Sequence, residues 1–146
     1  MTDRGVSVTL DYILMLMIGT VLLASVVTVS GILIGDQVDR GIEDELTAAG
    51  ESLAGDVQAV ERLYNASDDP NTSLELDVEL PRHVSGESYS ISYNATDETL
   101  TLAVAEPDIS VSISVAASRV ESTDNAFRGG PVTIVAEDGS ITVVPS

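Results

Sequence analysis

Residues 12–34 read YILMLMIGTVLLASVVTVSGILI, a run without a single charged side chain. As a helix rising about 1.5 Å per residue, about 23 positions extend about 35 Å, enough to cross a hydrocarbon core of about 30 Å. No other stretch of the chain approaches this length of apolar sequence, so the pattern predicts one membrane crossing. A cleaved secretory signal would carry an apolar region of about 7–15 residues and a small-residue exit. This run is longer and lacks that exit, which favours a permanent anchor.

On the N-terminal side of the run the only basic residue is Arg4. The positive-inside tendency then places residues 1–11 in the cytoplasm, residues 12–35 across the membrane as a single-pass helix, and the rest outside. On the other side the apolar positions thin out but keep a helical spacing: Val38, Ile42, Leu46, Ala49, Leu53, Val57, Val60 and Tyr64 recur every three or four residues. Charged residues fill the intervening positions, so residues 36–66 read as an amphipathic extracellular helix. Helix is expected from about Val8 to Tyr64, with Gly35, Gly41, Gly50 and Gly55 each costing about 1 kcal/mol against alanine and marking places for a break. Asn65 to Ser73, with Pro70, ends it.

From there the period becomes two. Leu74, Leu76, Val78 and Leu80 alternate with Glu75, Asp77 and Glu79. Tyr89, Ile91 and Tyr93 alternate with serines, Leu100, Leu102 and Val104 follow, and Ile109, Val111, Ile113 and Val115 alternate with Ser110, Ser112 and Ser114. Val132–Val135 and Ile141–Val144 close the chain. Such alternation buries one face of a strand, and turns are expected at Asn94–Glu98 and, on the Asp138-Gly139 signal, at Glu137–Ser140. The fold class is therefore α+β: a long N-terminal helix packed against an antiparallel β domain of five or six strands over residues 67–146. The amphipathic half of the helix is the apolar stripe available to cover the sheet.

The chain carries 24 acidic residues against six arginines and no lysine, a net charge of −18, and all but Asp3, Asp11 and Arg4 of those charges lie beyond Gly35. A surface of this sign repels phosphate, which excludes nucleic acid as a partner. The regular aliphatic pattern argues for a folded domain over disorder, and an acidic folded surface suits a halophile's exterior, where salt screens its self-repulsion. The absence of cysteine excludes disulfides, thiolate metal sites and an acylated cysteine anchor.

Arg4-Gly5-Val6-Ser7, followed by Leu10 and by Ile13-Leu14-Met15 at the head of the apolar run, resembles the class III signal segment of archaeal type IV pilin-like proteins. The layout of a helix apolar in its first half and amphipathic in its second, followed by an antiparallel sheet, is likewise similar to type IV pilins. The resemblance implies cleavage by a prepilin peptidase between Gly5 and Val6, extraction by an assembly platform, and bundling of helices in a filament core. Its partners would be membrane lipid, other pilin-like subunits and that platform. Leu10 stands fifth after the cut, where bacterial pilins carry glutamate, and Asp11 follows it. Asp11 either pairs with a neighbour's new amino terminus or caps the helix at the interface.

Within the run, Gly31 and Gly35 form a GxxxG, and Thr20, Ala24 and Thr28 add small residues at four-residue spacing, a pattern that lets helices pack closely. Asn65-Ala66-Ser67, Asn71-Thr72-Ser73 and Asn94-Ala95-Thr96 are N-glycosylation sequons, all expected in loops of a surface glycoprotein. Chemistry-bearing motifs are sparse: His83 is the one histidine, no nucleophile elbow or metalloprotease helix occurs, and Asp68-Asp69 and Glu43-Asp44-Glu45 lack the spacing of an ion loop. No catalytic residue, cofactor or metal is expected. Phe127, beside Gly129-Gly130-Pro131, reads either as an exposed contact or as core. The expectation is a non-enzymatic, minor pilin-like subunit. Its alternatives are a membrane protein of the same shape that does not polymerise and binds the surface layer or another envelope protein, and a tethered domain that binds or acts on a carbohydrate or peptide.

Overall fold

Apolar periodicity passes from the membrane run into the amphipathic stripe without a proline, and the chain forms a single helix through both. The computed structural model describes residues 2–67, 69, 71–123 and 125–146, with side chains described from 8–28 and from 35 onward. Helix α1 spans Thr2–Ala66. It is longer than expected at its start and runs through Gly35, Gly41, Gly50 and Gly55 without interruption. Asp68 and Pro70, part of the expected helix stop, lie outside the described residues. The chain divides into two units, Met1–Val38 and Asp39–Ser146.

In the first unit the apolar segment Val8–Thr28, 21 residues, is long and apolar enough to cross a membrane, and none of it is buried by protein. It overlaps the expected span and begins before it. Three of its hydroxyls are satisfied within the helix: Thr20 Oγ1 donates to the Met17 carbonyl at 2.9 Å, Ser25 Oγ to that of Val21 at 2.6 Å, and Thr28 Oγ1 to that of Ala24 at 2.9 Å. A hydroxyl bonded back to its own helix can enter hydrocarbon at little cost.

In the second unit the helix buries one stripe. Ile42, Leu46, Ala49, Leu53, Val57, Val60 and Tyr64 are buried, and Val38, the first residue of the expected stripe, is exposed. Around this stripe lie, among the described residues, seven strands: β1 (Leu74–Val78), β2 (Tyr89–Asn94), β3 (Thr99–Val104), β4 (Ile109–Ser114), β5 (Phe127–Arg128), β6 (Val132–Glu137) and β7 (Ser140–Pro145). They form two antiparallel sheets, ordered β1-β6-β7 and β4-β3-β2-β5. The division into two sheets, with β1 carried across to pair with β6, is what the reading of strands one by one did not contain. β5 adds a strand to the expected six, and its two residues are too few to carry an alternation.

The helix stripe, Tyr89, Ile91, Tyr93, Leu100, Leu102 and Val104 of one sheet, and Val132, Ile134, Ala136 and Ile141 of the other form one core. Gly50 explains how closely the layers approach. A Cβ there would press on Ile113 Cδ1 and lie 2.9 Å from Leu102 Cδ1, so the glycine read as a weak point of the helix is a contact surface for β3 and β4. The Asp138-Gly139 turn forms as expected, with φ of 50° and 86°, the pair of positive values a tight hairpin between β6 and β7 requires.

Candidate functional site

The helix ends on a tyrosine that the sequence marks only as the last apolar position, and the side chain has both a buried ring and a polar tip to satisfy. Tyr64 Oη accepts the Gly139 N–H at 2.9 Å, which ties the end of α1 to the β6–β7 turn. Arg119 lies over the Tyr64 ring, its guanidinium carbon 5.8 Å from the centroid, and its Nη1 donates to the Gly139 carbonyl at 3.4 Å. The segment carrying Arg119 is itself bound to β7: the Ile141 N–H donates to the Arg119 carbonyl at 2.8 Å and the Glu121 N–H to the Ile141 carbonyl at 2.9 Å.

One turn back on the helix, Glu61 is 8% exposed. A carboxylate there needs donors, and Ser118 supplies both its N–H at 2.9 Å and its hydroxyl at 3.2 Å. Tyr93 donates to the Ala117 carbonyl at 3.5 Å from the other sheet. Burial, reinforced by the charges of Glu98 and Glu61, raises the Tyr93 phenol above its ordinary value. Helix end, turn and loop thus hold one another through polar groups that are each satisfied, and among the described residues no buried side-chain polar atom lacks a partner.

These elements border an open groove of about 550 Å³ lined by Tyr64, Asn65, Ser67, Asp69, Arg119, Asp138 and Gly139. It offers an aromatic ring edge, one guanidinium, two carboxylates and an amide, which is a surface for hydrogen-bonded recognition of a polar ligand. Neither Glu61 nor Arg119 stood out in the sequence. Glu61 and Ser118 stand 57 residues apart, and no local pattern announces such a pair.

The sequence-derived sites fall as follows. Gly5, Val6 and Gly31 lie within the range of α1, and their side-chain surroundings are outside the described residues. Gly35 is exposed, and a Cβ built there meets nothing within 4 Å. The three sequon asparagines are exposed, but they do not share a setting. Asn65 sits in the last turn of α1 and not in a loop, because the helix continues to Ala66, and the Ser67 hydroxyl of that sequon donates to the Tyr64 carbonyl at 2.7 Å. Asn71 lies in a turn, its N–H donating to Asp69 Oδ1 at 2.9 Å. Asn94 ends β2, where its Oδ1 accepts the Thr96 N–H at 2.9 Å and its Nδ2 donates to Asp97 Oδ2 at 2.8 Å.

His83 is exposed. In the acidic run Glu43-Asp44-Glu45, Glu45 holds a turn between β1 and β2 by accepting the Ser85 N–H at 2.6 Å and its hydroxyl at 3.1 Å. No cluster of three or more His, Cys, Asp or Glu able to hold a metal ion occurs among the described residues. Phe127 is half-buried, pairs with Ile91 and packs on the core.

Fold and site together define an α+β chain with one helix long and apolar enough to cross a membrane once and a β domain that builds its core on the remainder of that helix. The chain belongs to a family of unknown function (DUF7266), whose model matches residues 1–144. Comparison with curated proteins and with solved structures found no match.

Proposed function

We propose that this chain is a non-enzymatic, minor pilin-like subunit of an archaeal type IV pilus or related secretion-type filament.

 The observation that carries this reading is the single helix Thr2–Ala66, whose exposed apolar segment Val8–Thr28 leads into a stripe that forms the core of an antiparallel β domain. That division of labour within one helix suits a subunit that waits in a membrane and later packs helix against helix. Arg4-Gly5-Val6 supplies the matching processing sequence. In this reading residues 1–11 are cytoplasmic, the β domain is extracellular, and the partners are membrane lipid, other pilin-like subunits and an assembly platform. The acidic surface suits a halophilic archaeon, and Asn65, Asn71 and Asn94 are the acceptors for glycans.

Mass spectrometry of the native N-terminus tests it. A mature chain beginning at Val6 is the expected result, and Gly5→Asp is expected to abolish both that cleavage and surface filaments. An intact Met1 in cells whose prepilin processing is active overturns the proposal.

The groove beside Tyr64 favours a second reading, a non-polymerising anchor whose β domain binds the surface layer, another envelope protein or a carbohydrate. The lining of Arg119, Asp69 and Asp138 around an aromatic edge is the feature that supports it. Cells lacking the chain would then keep their filaments, and Arg119→Ala would release the full-length protein from isolated surface-layer material.

A further inference from the structure

Edges of β-sheets expose unpaired N–H and C=O groups, and proteins usually shorten, charge or cover them. Three of the four edges here follow that rule. β1 carries Glu75 and Asp77, both exposed. β5 has two residues. β7 is bridged on its outer side by Val120, with hydrogen bonds from the 119–121 segment to Ile141. β4 is different: it is six residues long, reads Ile-Ser-Val-Ser-Ile-Ser, and has neither a charge nor a proline. It pairs with β3 on one side and is the terminal strand of its sheet on the other.

The register says which groups that free side presents. The Val115 N–H donates to the Glu98 carbonyl at 2.8 Å, continuing the ladder in which Ile113 faces Leu100 and Val111 faces Leu102. Antiparallel ladders alternate between hydrogen-bonded and non-bonded pairs, so the odd-numbered residues of β4 bond to β3. The N–H and C=O groups of Ser110, Ser112 and Ser114 therefore point to the free edge.

We propose that the β4 edge is an interaction surface for a second copy of this chain, joined by antiparallel β4–β4 pairing centred on Ser112. In that register Ser110 of one copy faces Ser114 of the other, Ser112 faces its own counterpart, and Val111 faces Ile113. All three outward-pointing serines then bond in mutual pairs, and the aliphatic and serine faces of the two strands match. The match of this strand to itself selects the occupant, and charge selects the edge. In a chain of net charge −18, the edge of a copy that can approach without placing carboxylates against the contact is β4 itself, since β1 brings Glu75 and Asp77. At about 1 M salt the remaining repulsion between copies is screened within about 3 Å.

The chain has no cysteine, so single-cysteine variants of the full-length protein in its native membranes, oxidised at molar salt, report the contact directly. Facing residues of a bonded antiparallel pair stand about 5.5 Å apart between Cα atoms, within the span of about 4.4–6.8 Å that a disulfide bridges. Ser112→Cys is expected to give a disulfide-linked homodimer. Ser110→Cys and Ser114→Cys, displaced from their own counterparts by about four residues or about 14 Å, should each give little alone and should cross-link when co-expressed. Ser92→Cys, on the same sheet but two strands inward, should give none.

Equal dimer from Ser112→Cys and Ser92→Cys overturns the proposal, as does equal dimer from all three edge positions or cross-linking of Ser112→Cys to a different protein. Adding Ser110→Pro to Ser112→Cys removes an N–H that only the partner strand uses. The domain should stay folded and the dimer should be lost; a surviving dimer, or an unfolded domain, equally overturns the assignment.

Discussion

The two parts of α1 are built from similar aliphatic residues and meet opposite surroundings. Between Val8 and Thr28 apolar side chains point in every direction and all are exposed. From Ile42 to Tyr64 the apolar stripe is buried by the β domain, with Leu63 left exposed beside it and every carboxylate but that of Glu61 on the outer face. The lesson lies in the arrangement of apolar residues more than in their number. A helix apolar all round needs an apolar solvent, whereas a striped one needs a partner on one side.

The largest expected effect separates the parts by stability. Leu53→Ala, in the buried stripe, should cost about 2–5 kcal/mol of unfolding free energy, whereas Leu23→Ala in the exposed segment should leave denaturant unfolding of the Asp39–Ser146 unit unchanged. Equal losses at both positions would break the comparison. Next in size, Ile18→Arg at the centre of Val8–Thr28 should oppose insertion by about 2.5–3.5 kcal/mol, lowering the fraction of chain retained in carbonate-washed membranes. Ala48→Arg, on the exposed face of the second part, should leave that fraction as it was.

The glycines sharpen the contrast. A side chain at Gly50 must displace Leu102 and Ile113, while at Gly19 it meets nothing within 4 Å. Gly50→Val should therefore destabilise the domain by about 1–3 kcal/mol, and Gly19→Val should not change its unfolding midpoint. An effect no larger than this concerns the polar face. Glu61→Ala strands the N–H and hydroxyl of Ser118 at a cost of about 1–3 kcal/mol, and Glu43→Ala, at an exposed position, should stay within about 0.5 kcal/mol. Both are read from denaturant midpoints of the full chain.

Much of the fold was legible because its signals are short. Leu74 to Leu80 and Tyr89 to Tyr93 show their alternation over neighbouring residues, and Asp138-Gly139 names its own turn. The site was legible only in part. Asn71 lies in a turn, whereas Asn94 closes β2 and Asn65 lies in the last turn of α1, because the helix runs to Ala66, past the Tyr64 that ends its apolar stripe. Glu61 with Ser118, and Tyr64 with Arg119 and Gly139, could not be read at all, since each pair joins residues from separate elements.

By itself, the sequence determined that one segment suits a membrane, that the next is a striped helix and that the remainder alternates as strands, because periodicity is a property of consecutive residues. Tertiary structure alone decided that the strands divide into two sheets, that β1 crosses to β6, that Gly50 is a contact and that β4 is left as an uncovered, uncharged edge. Those outcomes depend on which distant segments meet around one core, and that is settled by packing and backbone pairing between elements.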